Sequence, residues 1–324
     1  AEYEELTATL EDDRTQALDD AVTDITTAGP WLAWLDGQTL GLRRYPDRLE
    51  LELAAPDPSY RLGATHVITA ERSDLALLYR AHALPGGELI DEQSFTAPEA
   101  ALLGDEAVVI ESESDDQAQA IWRWRIGVEA PTQLGTLADV GIVGERVEQL
   151  EAVQRGPEPL LILRADGRLW SLALTSLTAT AIADVDALLA VDSRSVLYTH
   201  EGGLHLHALE TGETVRIDAA IAESGWTLNP TFSNIHLYAG DGATLADDRV
   251  LYIASAGVFA YAIDQLGPEA ITPILLEPRW DVAAEIPRVE YREPRFAGGT
   301  VFARGLIGPS GEVGEQGPIF AVPE

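Results

Sequence analysis

The chain contains no cysteine, no methionine and no lysine. Without cysteine there is no disulfide framework, no thiolate metal site and no thiol nucleophile. All 21 basic residues are arginine, beside abundant alanine, leucine and glycine, a bias expected of a GC-rich genome. Long apolar runs are also missing. Stretches such as Pro159 to Leu163 are far too short to span a bilayer, so no transmembrane segment is expected, although an upstream lipid anchor stays compatible with the sequence. Positive charge is scarce: 54 acidic residues against 21 basic ones give a net charge of −33. Nucleic-acid binding depends on basic groups displacing counterions from phosphates, and anionic membranes attract basic segments, so neither partner is expected. The acidic surplus reads first as a solubility adaptation, and alternatively as a surface for cations or a basic partner. Catalytic signatures are lacking too. There is no Gly-x-Ser-x-Gly elbow, His-Glu-x-x-His helix or phosphate loop, and the carboxylates are too many for one pair to stand out as a glycosidase acid and base.

What is present is a repeat. An apolar strand ends in a small or acidic turn, and a second strand follows. The pairs are Trp31–Leu35 with Leu40–Leu42, His66–Thr69 with Leu75–Tyr79, and Ala107–Ile110 with Ile121–Ile126. They continue with Leu160–Leu163 and Leu169–Leu172, Val196–Thr199 and Leu204–Leu209, Val250–Ile253 and Val258–Asp264, and Thr300–Ala303 with Pro318–Val322. Each reads as a hairpin, because Asp36-Gly37, Asp166-Gly167 and Gly202-Gly203 supply the positive φ that tight turns need. Both faces of these strands are apolar, which suits sheets sandwiched between neighbouring sheets. Seven units at roughly 35 to 55 residues match the blade period of propellers. The expected fold is therefore all-β, a seven-bladed β-propeller in one domain of residues 1–324. Its blades are expected at about 22–55, 56–97, 98–140, 141–183, 184–220, 221–276 and 277–324 plus 1–11. Six or eight blades, a β-sandwich pair and a solenoid are the alternatives. The last unit ends with no room for its outer strand, so the polar–apolar alternation of Glu4 to Leu10 is expected to supply it and close the ring. Asp12 to Ala21 reads as a loop or a short helix.

Two units carry a further pattern. Leu206-His207-Ala208-Leu209-Glu210-Thr211-Gly212-Glu213 and Ala260-Tyr261-Ala262-Ile263-Asp264 resemble the repeats of the quinoprotein-like (PQQ-like) propeller superfamily, whose blades run Gly-x-Leu-Tyr-Ala-Leu-Asp and then Thr-Gly-Glu. That family's blade-docking Trp is replaced here by Thr214, Val215 and Arg216, and the vicinal Cys of quinone-binding dehydrogenases are missing. WD40-type Gly-His and Trp-Asp signatures are not repeated; Trp280-Asp281 stands alone. The resemblance implies a non-catalytic member, such as a periplasmic assembly lipoprotein.

Candidate sites follow. His200, His205 and His207 lie at one hairpin and would suit Zn²⁺ or Cu²⁺, with inter-blade packing as the commoner role. The acidic runs Glu111 to Asp116 and Asp184 to Asp186 would suit Ca²⁺ but lack EF-hand spacing. Trp122 and Trp124 share one strand face and Arg123 and Arg125 the other, where the arginines need carboxylate partners. The long connections Asp218 to Phe232 and Gln265 to Arg295 hold Trp226, Trp280, Arg288, Tyr291, Arg292 and Arg295. Long loops on rigid scaffolds carry binding sites, and Trp, Tyr and Arg dominate interface hot spots, so these six are the expected partner-binding residues. The chain opens Ala1-Glu2-Tyr3, as a mature N-terminus left by signal removal would. The expected function is an exported protein-interaction or scaffold module of a cell-envelope or extracellular assembly (periplasmic, secreted or at the cell surface), with no cofactor. A propeller enzyme of the carbohydrate lyase, hydrolase or lactonase type, with its site at the channel mouth, is the alternative.

Overall fold

The structure is a computed structural model. It describes residues 15–18, 22–73, 76–96, 98–112, 119–143, 146–217, 243–254, 257–264, 271–276, 288–308 and 319–323.

A short first strand, β1 (Thr15–Leu18), belongs to the last sheet of the chain. Blade 1 is β2 (Thr23–Ala28), β3 (Trp31–Asp36), β4 (Thr39–Arg44) and β5 (Leu49–Ala54). Blade 2 is β6 (Asp57–Leu62), β7 (His66–Ser73), β8 (Ala76–Ala83) and β9 (Leu89–Thr96). Blade 3 is β10 (Pro98–Leu103), β11 (Glu106–Glu111), β12 (Ala120–Arg125) and β13 (Thr132–Thr136). A 3₁₀ turn at Ala138–Val140 leads to blade 4, made of β14 (Val147–Arg155), β15 (Glu158–Ala165), β16 (Arg168–Ala173) and β17 (Thr178–Asp184). Blade 5 is β18 (Ala187–Val191), β19 (Ser195–His200), β20 (Gly203–Ala208) and β21 (Thr214–Arg216). Blade 6 is β22 (Ala243–Ala246), β23 (Arg249–Ala254), β24 (Gly257–Ala262) and β25 (Ile271–Leu276). Blade 7 is β26 (Arg288–Ala297), β27 (Thr300–Gly308) and β28 (Ile319–Pro323), with β1 on its outer edge.

Local chemistry explains the hairpins. At the β15–β16 turn, Asp166 and Gly167 adopt φ of 45° and 74°. This is the double positive-φ geometry of a type I′ turn, which Asp-Gly tolerates because the second residue has no Cβ. Gly41 has a different reason. It faces Trp34 across β3–β4, and a Cβ there would come within 2.3 Å of the indole. Replacing Gly41 would displace the ring. The Thr-Gly-Glu segment of blade 5 is also a turn device: Gly212 N–H donates to Ala208 O, and Ala208 N–H to Glu213 O.

The core is not one volume but seven. Each apolar cluster joins two successive blades. Leu161 and Leu163 of β15 pack toward blade 3 with Val108 and Ile121, while Ile162 between them packs toward blade 5 with Val196 and Tyr198. Strand β23 repeats this, with Val250 and Tyr252 facing blade 5 and Leu251 and Ile253 facing blade 7. The period-two alternation of a strand therefore feeds two cores, which is why both faces read as apolar. The seventh cluster joins the two ends of the chain: Leu18, Val22, Ile25, Leu32 and Tyr45 pack on Ala297, Phe302, Ile319 and Ala321. At about 2 kcal/mol per fully buried Leu, Ile or Phe, these clusters outweigh surface ion pairs worth about 0–1 kcal/mol each. Apolar burial, not charge, closes the ring.

The closing strand differs from expectation. Residues 15–18 pair antiparallel with β28, through Thr15↔Ala321 and Gln16↔Phe320. Glu4 to Leu10 lies outside the described residues. An outermost strand needs little apolar surface, and here Leu18, 7% exposed, supplies the anchor.

Polar ties reinforce the apolar ones. The Asp91 carboxylate on β9 accepts hydrogen bonds from the Trp124 indole (2.8 Å) and the Gly127 N–H (2.9 Å) of blade 3. Burial acts to raise the Asp91 pKa, but these donors, with Gln93 and the Glu92 N–H, outweigh it and hold the carboxyl below its usual value. Trp31 likewise donates to Ala64 O, tying blade 1 to blade 2. Arg123 and Arg125 converge on one carboxylate, Glu106, at 2.6 and 3.0 Å.

Candidate functional site: the axial channel

The first strands of the blades, β2, β6, β10, β14, β18, β22 and β26, contact one another around the axis. Five of them (β2, β6, β14, β18 and β26) slip register against their neighbour strand. Such bulges re-aim side chains. Two bulge residues, Asp24 and Glu293, adopt φ of 46° and 52°.

Between the first strands of blades 1, 2, 3, 4 and 7 lies a cavity of about 630 Å³. Its wall carries five carboxylates, from Asp24, Glu99, Glu148, Glu151 and Glu293, and two guanidiniums, from Arg61 and Arg295. Arg61 bridges blades 2 and 3, donating through Nε to Ala100 O (2.6 Å) and through Nη2 to Glu99 (3.1 Å). Glu148 pairs with Arg164 at 2.9 Å, and Glu293 with Arg304 at 2.9 Å. The Tyr60 hydroxyl donates to Asp24 O. Gln149 clamps blade 4 to blade 5, its amide donating to Leu188 O and accepting from Leu188 N–H.

Enclosure sets the titration. Burial raises the Glu99 pKa, and the Arg61 charge offsets this only in part. Burial raises Glu151 as well, with Arg61 again the opposing charge. Glu151 is exposed to the channel, and the upward direction reflects bulk solvent displaced by the surrounding wall. Tyr60 is raised by burial and by the nearby Asp24 charge.

Of the six residues expected to bind a partner, Arg295 lines this cavity; its Nε donates to Ile25 O of blade 1 at 3.1 Å. Trp226 and Trp280 lie outside the described residues. Arg288, Tyr291, Arg292 and Arg295 sit on β26, not in a long connection. Tyr291 is 0% exposed and meets Phe320 edge-on in the core between blades 6 and 7. The charged stretch reads as a loop because an inner strand can carry charge where it lines the channel, as Glu293 and Arg295 do.

The histidines do not assemble a metal site. His205 stacks on Tyr198 at 5.4 Å, His200 meets His205 edge-on at 6.1 Å, and His207 Nδ1 bonds Thr214 Oγ1 at 3.0 Å. Arg216 stands cross-strand from His205, a poor neighbour for a cation. Among the described residues no three His, Asp or Glu gather to hold an ion. In the acidic runs, Glu111 accepts the Thr96 N–H, Asp184 pairs with Arg168, and residues 113–116 lie outside the described set.

The comparisons with known proteins speak to this ring. No family model and no curated protein matches the chain. Among solved structures, the β-propeller domain of Myceliophteria thermophila Cps50 (Swd1) covers 96% of this chain and 99% of its own, with 12% identity and a TM-score of 0.59. The chain is a seven-bladed β-propeller. The propeller domain of the Trilobed protease from Pyrococcus furiosus is also similar, at 10% identity and TM-score 0.54, covering 95% and 94% of the two chains. The extracellular domain of a putative hybrid two-component system, BT4673 of B. thetaiotaomicron, matches at 11% identity and TM-score 0.52, over 95% of this propeller and 39% of that chain. Likeness at this identity establishes the fold alone.

Proposed function

We propose that this propeller is an exported protein-interaction or scaffold module, a subunit of a cell-envelope or extracellular assembly. The observation that carries the interaction reading is a strip of exposed aliphatic side chains on the outer rim. Leu49 begins β5, Leu89 and Ile90 begin β9, and Val128 follows β12, at 39%, 49%, 38% and 75% exposure. The three blades touch there: the space beside Gly87 is filled by Leu51, and Gly127 lies against Ile90 O. Apolar strips rimmed by charge mark partner surfaces. With a net charge of −33, the matching partner presents an apolar knob in a basic surround. Export rests on the repeat resemblance to periplasmic assembly members.

The test is a double variant, Leu89→Glu with Ile90→Glu, compared with wild type by purification from the source cell's envelope fraction. The reading expects one basic protein at fixed stoichiometry with wild type, lost in the variant at unchanged melting temperature and weakened by salt. A partner retained by the variant, or a chain recovered alone from the cytosol, contradicts it.

The channel favours a second reading, a propeller enzyme of the lyase, hydrolase or lactonase type. Glu99 and Glu151, both raised by burial, line one cavity and suit general acid work.

A further inference from the structure

Two buried hydroxyls have no hydrogen-bond partner, Tyr252 Oη on β23 and Thr199 Oγ1 on β19. Tyr252 is 0% exposed and Thr199 6%. A buried hydroxyl left unpaired is costly. Tyr198 shows the contrast. It holds the same fourth place in β19 that Tyr252 holds in β23, and its hydroxyl bonds Thr214. Register aims both unpaired hydroxyls into one seam. Tyr252 and its ladder partner Phe259 belong to the core between blades 5 and 6. Thr199 lies two residues after Leu197 and opposite Leu204, both of that same core, so it shares their face. The depths match as well. Thr199 stands opposite Ala187 and Tyr252 opposite Ala243, each the first residue of its blade's inner strand.

We propose that one buried water molecule bridges blades 5 and 6, accepting the Tyr252 O–H and donating a proton of its own to Thr199 Oγ1. The chemistry fits a neutral occupant. Each hydroxyl can both donate and accept, and buried waters serve polar groups that the fold leaves unpaired. Burial raises the Tyr252 pKa, with no charge among the described residues adding to it or opposing it, so nothing there favours an ion. The surround is apolar, with Leu197, Leu204, Val250 and Phe259 in the same core. The water gives this seam a buried polar tie, of the kind that Trp124 and Asp91 give blades 2 and 3. The Arg194 link to Asp247 O, at 3.0 Å between blades 5 and 6, is exposed. This seam lies apart from the outer-rim strip and from the channel, so neither reading of function bears on the test.

Differential scanning calorimetry of Tyr252→Phe, Thr199→Val and the double variant reads the shared water, because each substitution removes one hydroxyl and keeps the shape of the side chain. Each single variant is expected to lower the melting temperature by about 1–2 °C. The double variant is expected to lower it by no more than the larger single loss, because either substitution alone already breaks the bridge. A crystal structure of the wild-type chain supplies the second measurement. One solvent peak is expected within about 3 Å of both oxygens, and it is expected to be gone in Tyr252→Phe. A melting temperature that holds or rises in Tyr252→Phe overturns the proposal, since it marks the phenol as an uncompensated donor. Single losses that add in the double variant, or a crystal structure in which no solvent peak touches both oxygens, overturn it as well.

Discussion

Trp124→Ala is expected to lower the unfolding free energy by about 4 kcal/mol, the usual cost of emptying a buried Trp site. For a chain of this length that corresponds to a melting shift of roughly 6 °C. The side chain is 0% exposed and fills the core between blades 2 and 3, beside Tyr79 and Phe95. Its loss leaves a cavity that rigid sheets on both sides cannot collapse. It also strips Asp91 of a donor, and a part-buried carboxylate short of a hydrogen bond adds to the cost. Trp34→Ala is the internal comparison. Trp34 is only half-buried, covers Gly41 and carries Arg43 at 5.5 Å from its ring centroid, so a clearly smaller loss is expected. Differential scanning calorimetry of both variants checks the ranking. Equal shifts would mean that the inter-blade cores are not what holds the ring.

Arg304→Ala is expected to cost about 3 kcal/mol, although ion pairs on this protein are mostly worth little. Arg304 is 5% exposed and binds two things at once, Glu293 at 2.9 Å and the Val22 carbonyl at 3.0 Å. Val22 leads into blade 1, whereas Arg304 and Glu293 belong to blade 7, so one guanidinium spans the seam where the chain's ends meet. Removing it strands the Val22 carbonyl and leaves the half-buried Glu293 carboxylate without its partner. The value sits at the low end for broken buried pairs because Glu293 is 25% exposed. Arg168→Ala, which breaks a pair with Asp184 at 49% and 68% exposure, is expected to change stability by no more than about 0.5 kcal/mol. Urea unfolding of the two variants reads the contrast.

The middle two strands of every blade are legible in the sequence because they obey strong local rules. Leu160–Leu163 and Leu169–Leu172 flank an Asp-Gly turn and are apolar on both faces. The innermost strands obey weaker ones. Strand β26 reads Arg-Val-Glu-Tyr-Arg-Glu-Pro-Arg-Phe-Ala, which looks like a charged loop until Glu293 and Arg295 are seen to line a cavity. The closing strand Thr15–Leu18 offers a single large apolar residue to a pattern search, while the more regular alternation of Glu4 to Leu10 draws the eye. The channel carboxylates were hidden among 54 acids. A usable signal does exist: Asp24, Glu99 and Glu148 each stand second in the first strand of their blade. Comparing the phase of acidic residues within the repeat, instead of counting them, would have brought these three together.

The seam also allows the most direct test, because a cysteine-free chain reports a new disulfide without ambiguity. Thr15 and Ala321 are ladder partners, and paired residues in an antiparallel ladder have Cα atoms about 4.5–5.5 Å apart, within disulfide reach. In Thr15→Cys with Ala321→Cys, mild oxidation is expected to give an intramolecular link between the N-terminal and C-terminal peptides, mapped by mass spectrometry, with a higher melting temperature than the reduced form. Free thiols in that variant, together with efficient linkage in Thr7→Cys with Ala321→Cys, would contradict the ring as closed through β1.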